Sequence, residues 1–337
     1  MFDNSKLEDY LERRNSKILG GYITEQLFID TFVSGKMTCS DGWWIALARD
    51  KKKSNSVHYF VSKDELSDFD VMIMDILHNH NRKVHQIALS NNEIVVNDDG
   101  NQYSLTDFVA QNELIAKTHS VNTADDALKR RCIAYYTLIN KLSGIARSIY
   151  IEDSLLNKYF YPTNIDLFIQ DPNTKNPICV EIKFKDEFEK SGKLVFGEDR
   201  LQYETLFPEM RECGIDVYNC VLYNHIGKGE NNEVTNIFNY IESSNRVRFW
   251  KKKKFTEGET HSTHSINKKN TQFWGEGGRS VYCIPLAEYT SVSDDFFSSE
   301  PDMGWKVCPI CGGKMVIRKR KKDNHEFFGC INYMNHE

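Results

Sequence analysis

No stretch of these 337 residues approaches the ~18 consecutive apolar positions that a membrane-spanning helix needs. The first residues, MFDNSKLEDYLERRNSK, are charged and lack the apolar core of a secretory signal, so a cytoplasmic location with no membrane partner is expected. A dominant charge is missing as well. The 43 Lys and Arg against 48 Asp and Glu leave a formal −5, which does not by itself announce a nucleic-acid partner. Nine cysteines cannot all pair, and six of them (Cys39, Cys132, Cys179, Cys213, Cys220 and Cys283) are scattered, mostly inside apolar patterns. That usage suits a reducing compartment in which cysteine packs as a small hydrophobe. No internal repeat is evident.

What is present divides into four stretches. Residues 1–120 read as an N-terminal α+β unit: a helical segment over 5–34 with a break at Gly20-Gly21, then strands at 43–50, 57–63, 84–90 and 93–97. The last two strands are joined by Asn91-Asn92 as a hairpin turn. Residues 121–250 read as an α/β core. A helix capped at Asn122-Thr123 runs to Ser143-Gly144, and strands follow at 145–151, 164–170 and 178–185. A helix from Asp199 to Cys213 and a strand at 216–224 complete an α-β-β-β-α-β order. Residues 251–303 read as a Gly/Ser/Lys-rich mobile segment over 256–278, one strand (SVYCIPLAEYT) and a polar linker. Residues 304–337 form a small basic unit, in which seven basic residues face three acidic ones from Lys306 onward.

The chemistry begins at VEIKFKDE, Val180–Glu187. Alternation places Val180, Ile182 and Phe184 on one strand face and Glu181, Lys183 and Lys185 on the other. If the preceding hairpin is centred on Asn173-Thr174, Asp166 lies directly opposite Glu181. Two facing carboxylates need a compensating cation. Lys183 is one candidate. A divalent metal is the other, since Mg²⁺ takes one or two carboxylates and keeps waters for substrate oxygens. Such a metal polarises a phosphate and generates hydroxide near neutral pH, while a lysine steadies developing charge.

These residues resemble the PD-(D/E)xK superfamily of restriction-endonuclease-like nucleases, through PTNID (Pro162, Asp166) and EIK (Glu181, Ile182, Lys183). The resemblance covers about residues 124–224 and implies a restriction-endonuclease-like α/β core. It implies that Asp166 and Glu181 bind Mg²⁺ (or Mn²⁺), with Lys183 beside the nucleophilic water. Gln202 in RLQYETL fits the helix glutamine that many members carry, whereas Leu206 stands where one subgroup has tyrosine. For the acid that some members draw from their first core helix, Asp125, Asp126 and Glu25 are the candidates.

The tail reads CPICGGKMVIRKRKKDNHEFFGCINYMNHE. Cys308 and Cys311 form a Cys-x2-Cys knuckle, Cys330 follows, and His336 supplies a fourth donor, with His325 as its rival. Three cysteines and one histidine make a closed structural Zn²⁺ set, and a unit this small needs such a staple. CPICGGKM and FFGCINY resemble the zinc ribbon of bacterial type I topoisomerases, which implies DNA contact, although that family usually has cysteine in the place of His336. Arg318, Lys319, Arg320, Lys321 and Lys322, with Tyr333 and the nearby phenylalanines, combine positive charge with stacking faces.

Other signals carry less. His78-Asn79-His80 reads as a polar helix end, and His261 and His264 read as loop residues. The lysine run 251–254 reads as either a DNA path or a solvated flank. The expectation is therefore a Mg²⁺-dependent DNA endonuclease with a zinc-ribbon tether, of a kind suited to restriction or anti-phage defence, with a protein partner reached through the N-terminal unit. The rivals are a non-catalytic DNA-binding scaffold, a transposon-end nuclease working with a recombinase, and a nuclease acting on RNA.

Overall fold

The computed structural model describes residues 2–49, 56–98, 100–117, 127–185, 188–223, 237–238, 241, 250–266, 279–292, 295–298, 315–322 and 326–330. It is a mixed α/β structure. After α1 (Leu7–Glu12), the side chain of Asn15 caps α2 (Ser16–Phe28) by accepting the Ile18 N–H at 3.0 Å. Leu19, Ile23 and Leu27, spaced at one helical face, are fully buried, and the helix continues through a π-turn to Val33. The expected break at Gly20-Gly21 does not occur, because both glycines are taken into the helix.

Strands β1 (Cys39–Ser40), β2 (Trp43–Ala48) and β3 (Val57–Ser62) follow, then α3 (Asp68–Asn79). A reciprocal capping box between Ser67 and Asp70 starts α3, and the helix ends at Asn79 with His80 beyond it, the polar end expected there. It carries the chain between parallel β3 and β4 (Lys83–Ser90), a β-α-β crossover. Strand β5 (Glu93–Asp98) returns antiparallel through Asn91 and Asn92, both with positive φ (51° and 62°), as a two-residue hairpin turn demands. Strand β6 (Asn101–Ser104) and α4 (Leu105–Gln111) close this part.

Next come α5 (Ala127–Leu138) and α6 (Leu142–Ile151), the latter continuing through a π-turn into short α7 (Asn157–Tyr159). Residues 145–151 are thus helical, not the strand expected. Ala146, Ile149 and Tyr150 are buried at helical spacing, and that face wins over the every-second-residue pattern of Ile145, Ile149 and Ile151. Strands β7 (Phe160–Ile165), β8 (Leu167–Gln170) and β9 (Pro177–Lys185) lead to the β10–β11 hairpin (Phe188–Lys190, Lys193–Asp199). A π-turn at Gln202–Leu206 and α8 (Phe207–Glu212) precede β12 (Asp216–Tyr223). Asp199 closes β11 and does not belong to the helix that follows it.

Downstream are β13 (Trp250–Phe255), β14 (Ser262–Ile266), β15 (Arg279–Pro285), β16 (Thr290–Ser291), and the hairpin β17 (Met315–Lys319) with β18 (Glu326–Cys330). The segment expected to be mobile over 256–278 contains β14, paired antiparallel with β15; 267–278 lie outside the described residues. The lysine run 251–254 is strand β13, and Lys251, Lys252 and Lys253 are buried, so neither a solvated flank nor an open DNA path describes them. The Lys252 Nζ reaches the carbonyls of Phe296 and Ser298, and Lys253 pairs with Glu259 and Glu288. The expected linker is anchored too. Phe296 is fully buried against Phe28 and Tyr218, and burying a phenyl group of this kind stabilises by about 1.5–3 kcal/mol.

Two six-stranded sheets dominate, ordered β1-β8-β9-β12-β13-β16 and β6-β5-β4-β3-β2-β7. Strand pairing crosses the expected boundary near residue 120, since β1 pairs with β8 and β2 with β7. Those two pairings keep one register, so residues 39–48 and 160–169 form a single ladder interrupted at Asp41-Gly42 and Asp166. At that interruption the ladder passes from one sheet to the other. Gly42, at φ +75°, falls opposite Asp166, and a side chain there would meet the Ser62 carbonyl.

Candidate metal centre

The site is built on β9. The β8–β9 register pairs Leu167 with Val180, Phe168 with Cys179, Ile169 with Ile178 and Gln170 with Pro177. Extended by one residue, it sets Asp166 opposite Glu181, as the hairpin centred on Asn173-Thr174 requires. Asp166 sits where the ladder turns from one sheet to the other, and its carboxylate is caught from three sides. The Ile182 N–H donates to its Oδ2 at 2.6 Å, Asn164 Nδ2 donates to Oδ1 at 3.1 Å, and Lys183 Nζ lies 3.4 Å from Oδ2.

Glu181 is fully buried, yet only one of its oxygens is engaged. Its Oε1 takes Lys183 Nζ and Gln202 Nε2, while its Oε2 and the Oε1 of Gln202 are buried acceptors with no hydrogen-bond donor. Gln202 comes from the π-turn that leads into α8, whose Phe207 and Met210 pack with Cys179 and Val217 on this face of the sheet. Leu206, one turn later, is buried in the core and offers no polar group.

Glu25 joins from the other side. Helix α2 packs against β9, and the partly buried Glu25 carboxyl lies in the field of Asp166 and Glu181. Asp125 and Asp126, the other candidates for a first-helix acid, lie outside the described residues. Burial, followed by the Asp166 charge, pushes the Glu25 and Glu181 carboxyls well above their ordinary range. Burial also raises Asp166, against the opposing pull of Lys183 and the Ile182 N–H. Burial alone would lower Lys183, but Asp166 and Glu181 raise it well above its usual value.

A fourth carboxylate, not singled out by the sequence reading, stands beside these. Glu198 on β11 is 1% exposed, and its Oε2 accepts Lys185 Nζ at 2.7 Å and Asn219 Nδ2 at 2.6 Å. The sequence signal for it was Asn219, a polar residue in the middle of the apolar strand DVYNCVLY. Four carboxylates therefore share this region with Lys183 and Lys185, an excess of two negative charges when all are ionised. Excess carboxylate charge and two orphaned oxygen acceptors fit a hard divalent cation such as Mg²⁺ or Mn²⁺.

A second group, Glu259, His261 and Glu288, offers ligand atoms within 4.8 Å of one another. His261 is thus no idle loop residue: its Nδ1 lies 2.7 Å from the Tyr203 hydroxyl and its Nε2 3.0 Å from Glu288. Lys253 already supplies the cation, 2.8 Å from Glu259 and 2.9 Å from Glu288.

In the tail, Arg318, Arg320, Lys321 and Lys322 are exposed on the β17–β18 hairpin, and Lys319 belongs to β17. Cys330 ends β18. Cys308, Cys311, His325, Tyr333 and His336 lie outside the described residues. Compared with known protein families, curated proteins and solved structures, the chain matches none.

Proposed function

We propose that this chain is a metal-dependent nuclease of the PD-(D/E)xK type, hydrolysing phosphodiester bonds in DNA and gripping DNA with a C-terminal zinc ribbon. The observation that carries the reading is Asp166 facing Glu181 across the β8–β9 ladder, with Lys183 between them and Glu181 Oε2 left without a partner. Asp166 and Glu181 would hold Mg²⁺, and Glu25, which lies in their field, would assist them. When bound, Mg²⁺ supplies Lewis-acid activation of the phosphate and of the attacking water.

The chain's own groups do the rest. The Ile182 N–H and Asn164 fix the Asp166 carboxylate, and Gln202 fixes Glu181. Lys183, the most exposed of the three motif side chains at 24%, is the one that reaches a bound phosphodiester. Its ammonium stabilises the charge that develops on the phosphoryl oxygens. The exposed Arg318, Arg320, Lys321 and Lys322 would add sequence-independent backbone contact, raising the local concentration of DNA at the core. A restriction-like or anti-phage role in the cytoplasm, with a partner engaged by the N-terminal sheet, fits a generic cutting site joined to a generic grip.

The test is cleavage of supercoiled plasmid, linear duplex, single strands and RNA, with and without Mg²⁺. Asp166→Ala, Glu181→Ala and Lys183→Ala are each expected to lower the rate by at least ~10²-fold. Full activity in either acid variant refutes the assignment. DNA binding with no cleavage on any substrate, alone or with the products of neighbouring genes, favours a scaffold.

A further inference from the structure

Lys185 is two residues beyond Lys183 on the same face of β9, about 6.5 Å along the strand. It belongs to no part of the motif, yet it is held more elaborately than a surface lysine. Its Nζ donates to the Gly197 carbonyl and to Glu198 Oε2 at 2.7 Å. Glu198 is in turn oriented by Asn219 Nδ2 at 2.6 Å and by the Asp199 N–H at 3.2 Å. Asn219, itself fully buried, accepts the Tyr289 hydroxyl at 3.2 Å. A buried carboxylate held this way costs desolvation, and a lysine with no task in solvent would not require it.

The ammonium that this network positions is 17% exposed, and it has three N–H donors, of which the protein uses two. The third has no partner among the described residues. Two positively charged groups therefore stand in a row, Lys183 and then Lys185, at a spacing comparable to that of neighbouring phosphates on an extended nucleic-acid strand. Two lysines of β13 differ in being buried: Lys252, on two carbonyls, and Lys253, between two carboxylates.

We propose that Lys185 is a positioning residue for the cleaved strand: held by Glu198 and the Gly197 carbonyl, it donates to a non-bridging oxygen of the phosphate next to the scissile one. This rests on the nuclease reading of Asp166, Glu181 and Lys183, and extends it from one phosphate to two. The contact fixes the register of the strand, so that the bond over Lys183 is the one presented for attack. It also makes the substrate a strand with at least two consecutive phosphates.

The full-length protein is tested on end-labelled oligodeoxynucleotides carrying one neutral methylphosphonate link, moved a position at a time, with product ends mapped. In the wild-type protein, cutting is expected to fall roughly tenfold or more at the bond whose neighbour on one side is neutral, mainly through KM. Lys185→Met should cut that bond as readily as the unmodified one, and Lys185→Arg should restore the discrimination, which a merely structural role would not do. Fluorescence anisotropy of the same oligonucleotides, with Ca²⁺ in place of Mg²⁺, gives the matching loss of affinity without cleavage. A neutral-link penalty that persists unchanged in Lys185→Met, or no penalty at any position, overturns the proposal while leaving the nuclease reading intact. Discrimination in binding that depends on Lys185, with no cleavage by the wild-type protein, upholds the contact and overturns the nuclease reading. Absence of both binding and cleavage overturns both.

Discussion

Replacing Glu181 with glutamine should make the metal-free protein more stable while destroying its response to Mg²⁺. Wild-type Glu181 Oε2 and Gln202 Oε1 face the interior as acceptors with no donor, and each buried unsatisfied group costs about 1–3 kcal/mol. A glutamine at 181 keeps an oxygen for Gln202 Nε2 and adds an amide that can donate to Gln202 Oε1, forming a reciprocal pair. Lys183 keeps Asp166 as its counter-ion. The net gain is then about 1–3 kcal/mol, or roughly 1.5–5 °C in the unfolding temperature of the body in chelator.

The pH dependence gives a second readout. Because burial holds the Glu181 carboxyl above its unfolded value, the folded state favours the protonated form. Stability is therefore lost as pH rises from about 4.3 toward the raised value. Asp166 and Glu25 contribute with the same sign, and Lys183 stays charged in both states over that window. The variant should show a shallower decline, not a flat one. Adding Mg²⁺ at a hundred times its Kd should stabilise the wild-type protein by about 2.7 kcal/mol and the variant far less. A variant that is less stable in chelator, or that keeps the full Mg²⁺ gain, refutes the assignment of Glu181 as a strained metal acid.

Arg14, 6% exposed, bridges Glu152 at 3.2 Å and Asp153 at 2.9 Å; Arg14→Ala leaves Glu152 with only the neutral donors Tyr22 and Trp44 and Asp153 with Arg13 at 3.9 Å, and should cost up to about 3–5 kcal/mol, read as a lower urea midpoint. An unchanged midpoint would mean that water replaces the guanidinium. Asn92→Val forces a β-branched residue to φ +62° and should lose about 1–2 kcal/mol, whereas Asn92→Gly should be neutral or stabilising by the same thermal measurement. Removal of Zn²⁺ should unfold the tail after residue 304 without lowering the unfolding temperature of the body; tail amide NMR signals that stay dispersed in chelator would refute the ribbon.

Much of the candidate site was legible because it is local. The Asp171–Asn176 turn fixes the β8–β9 register, and the register alone sets Asp166 against Glu181. Asn91-Asn92 likewise declares its hairpin, since asparagine tolerates positive φ. What stayed open or hidden depends on distant chain. Glu25 was one of three candidate acids, and only the packing of α2 on β9 brings it to the site; Glu198 was missed, because it is β11, held by β15, that carries it to Asn219. The lysines of β13 read as a DNA path or a solvated flank because a charge run gives no hint of the carbonyls and carboxylates that receive Lys252 and Lys253. IARSIYI satisfies both a strand and a helix period, and the choice is made by the packing of Ala146 and Ile149, not by the segment itself.

The place where the long ladder changes sheets has a mechanical meaning. Ile165 is locked to Trp43 on one side and Leu167 to Val180 on the other. Any rotation of the N-terminal sheet against the core is therefore delivered as torque to the residue between them, Asp166. A twist of that sheet by a few degrees would swing the Asp166 carboxylate relative to Glu181 directly, with no relay of side chains in between. An N-terminal sheet joined in this way need not touch a ligand of the site to change the geometry of Asp166.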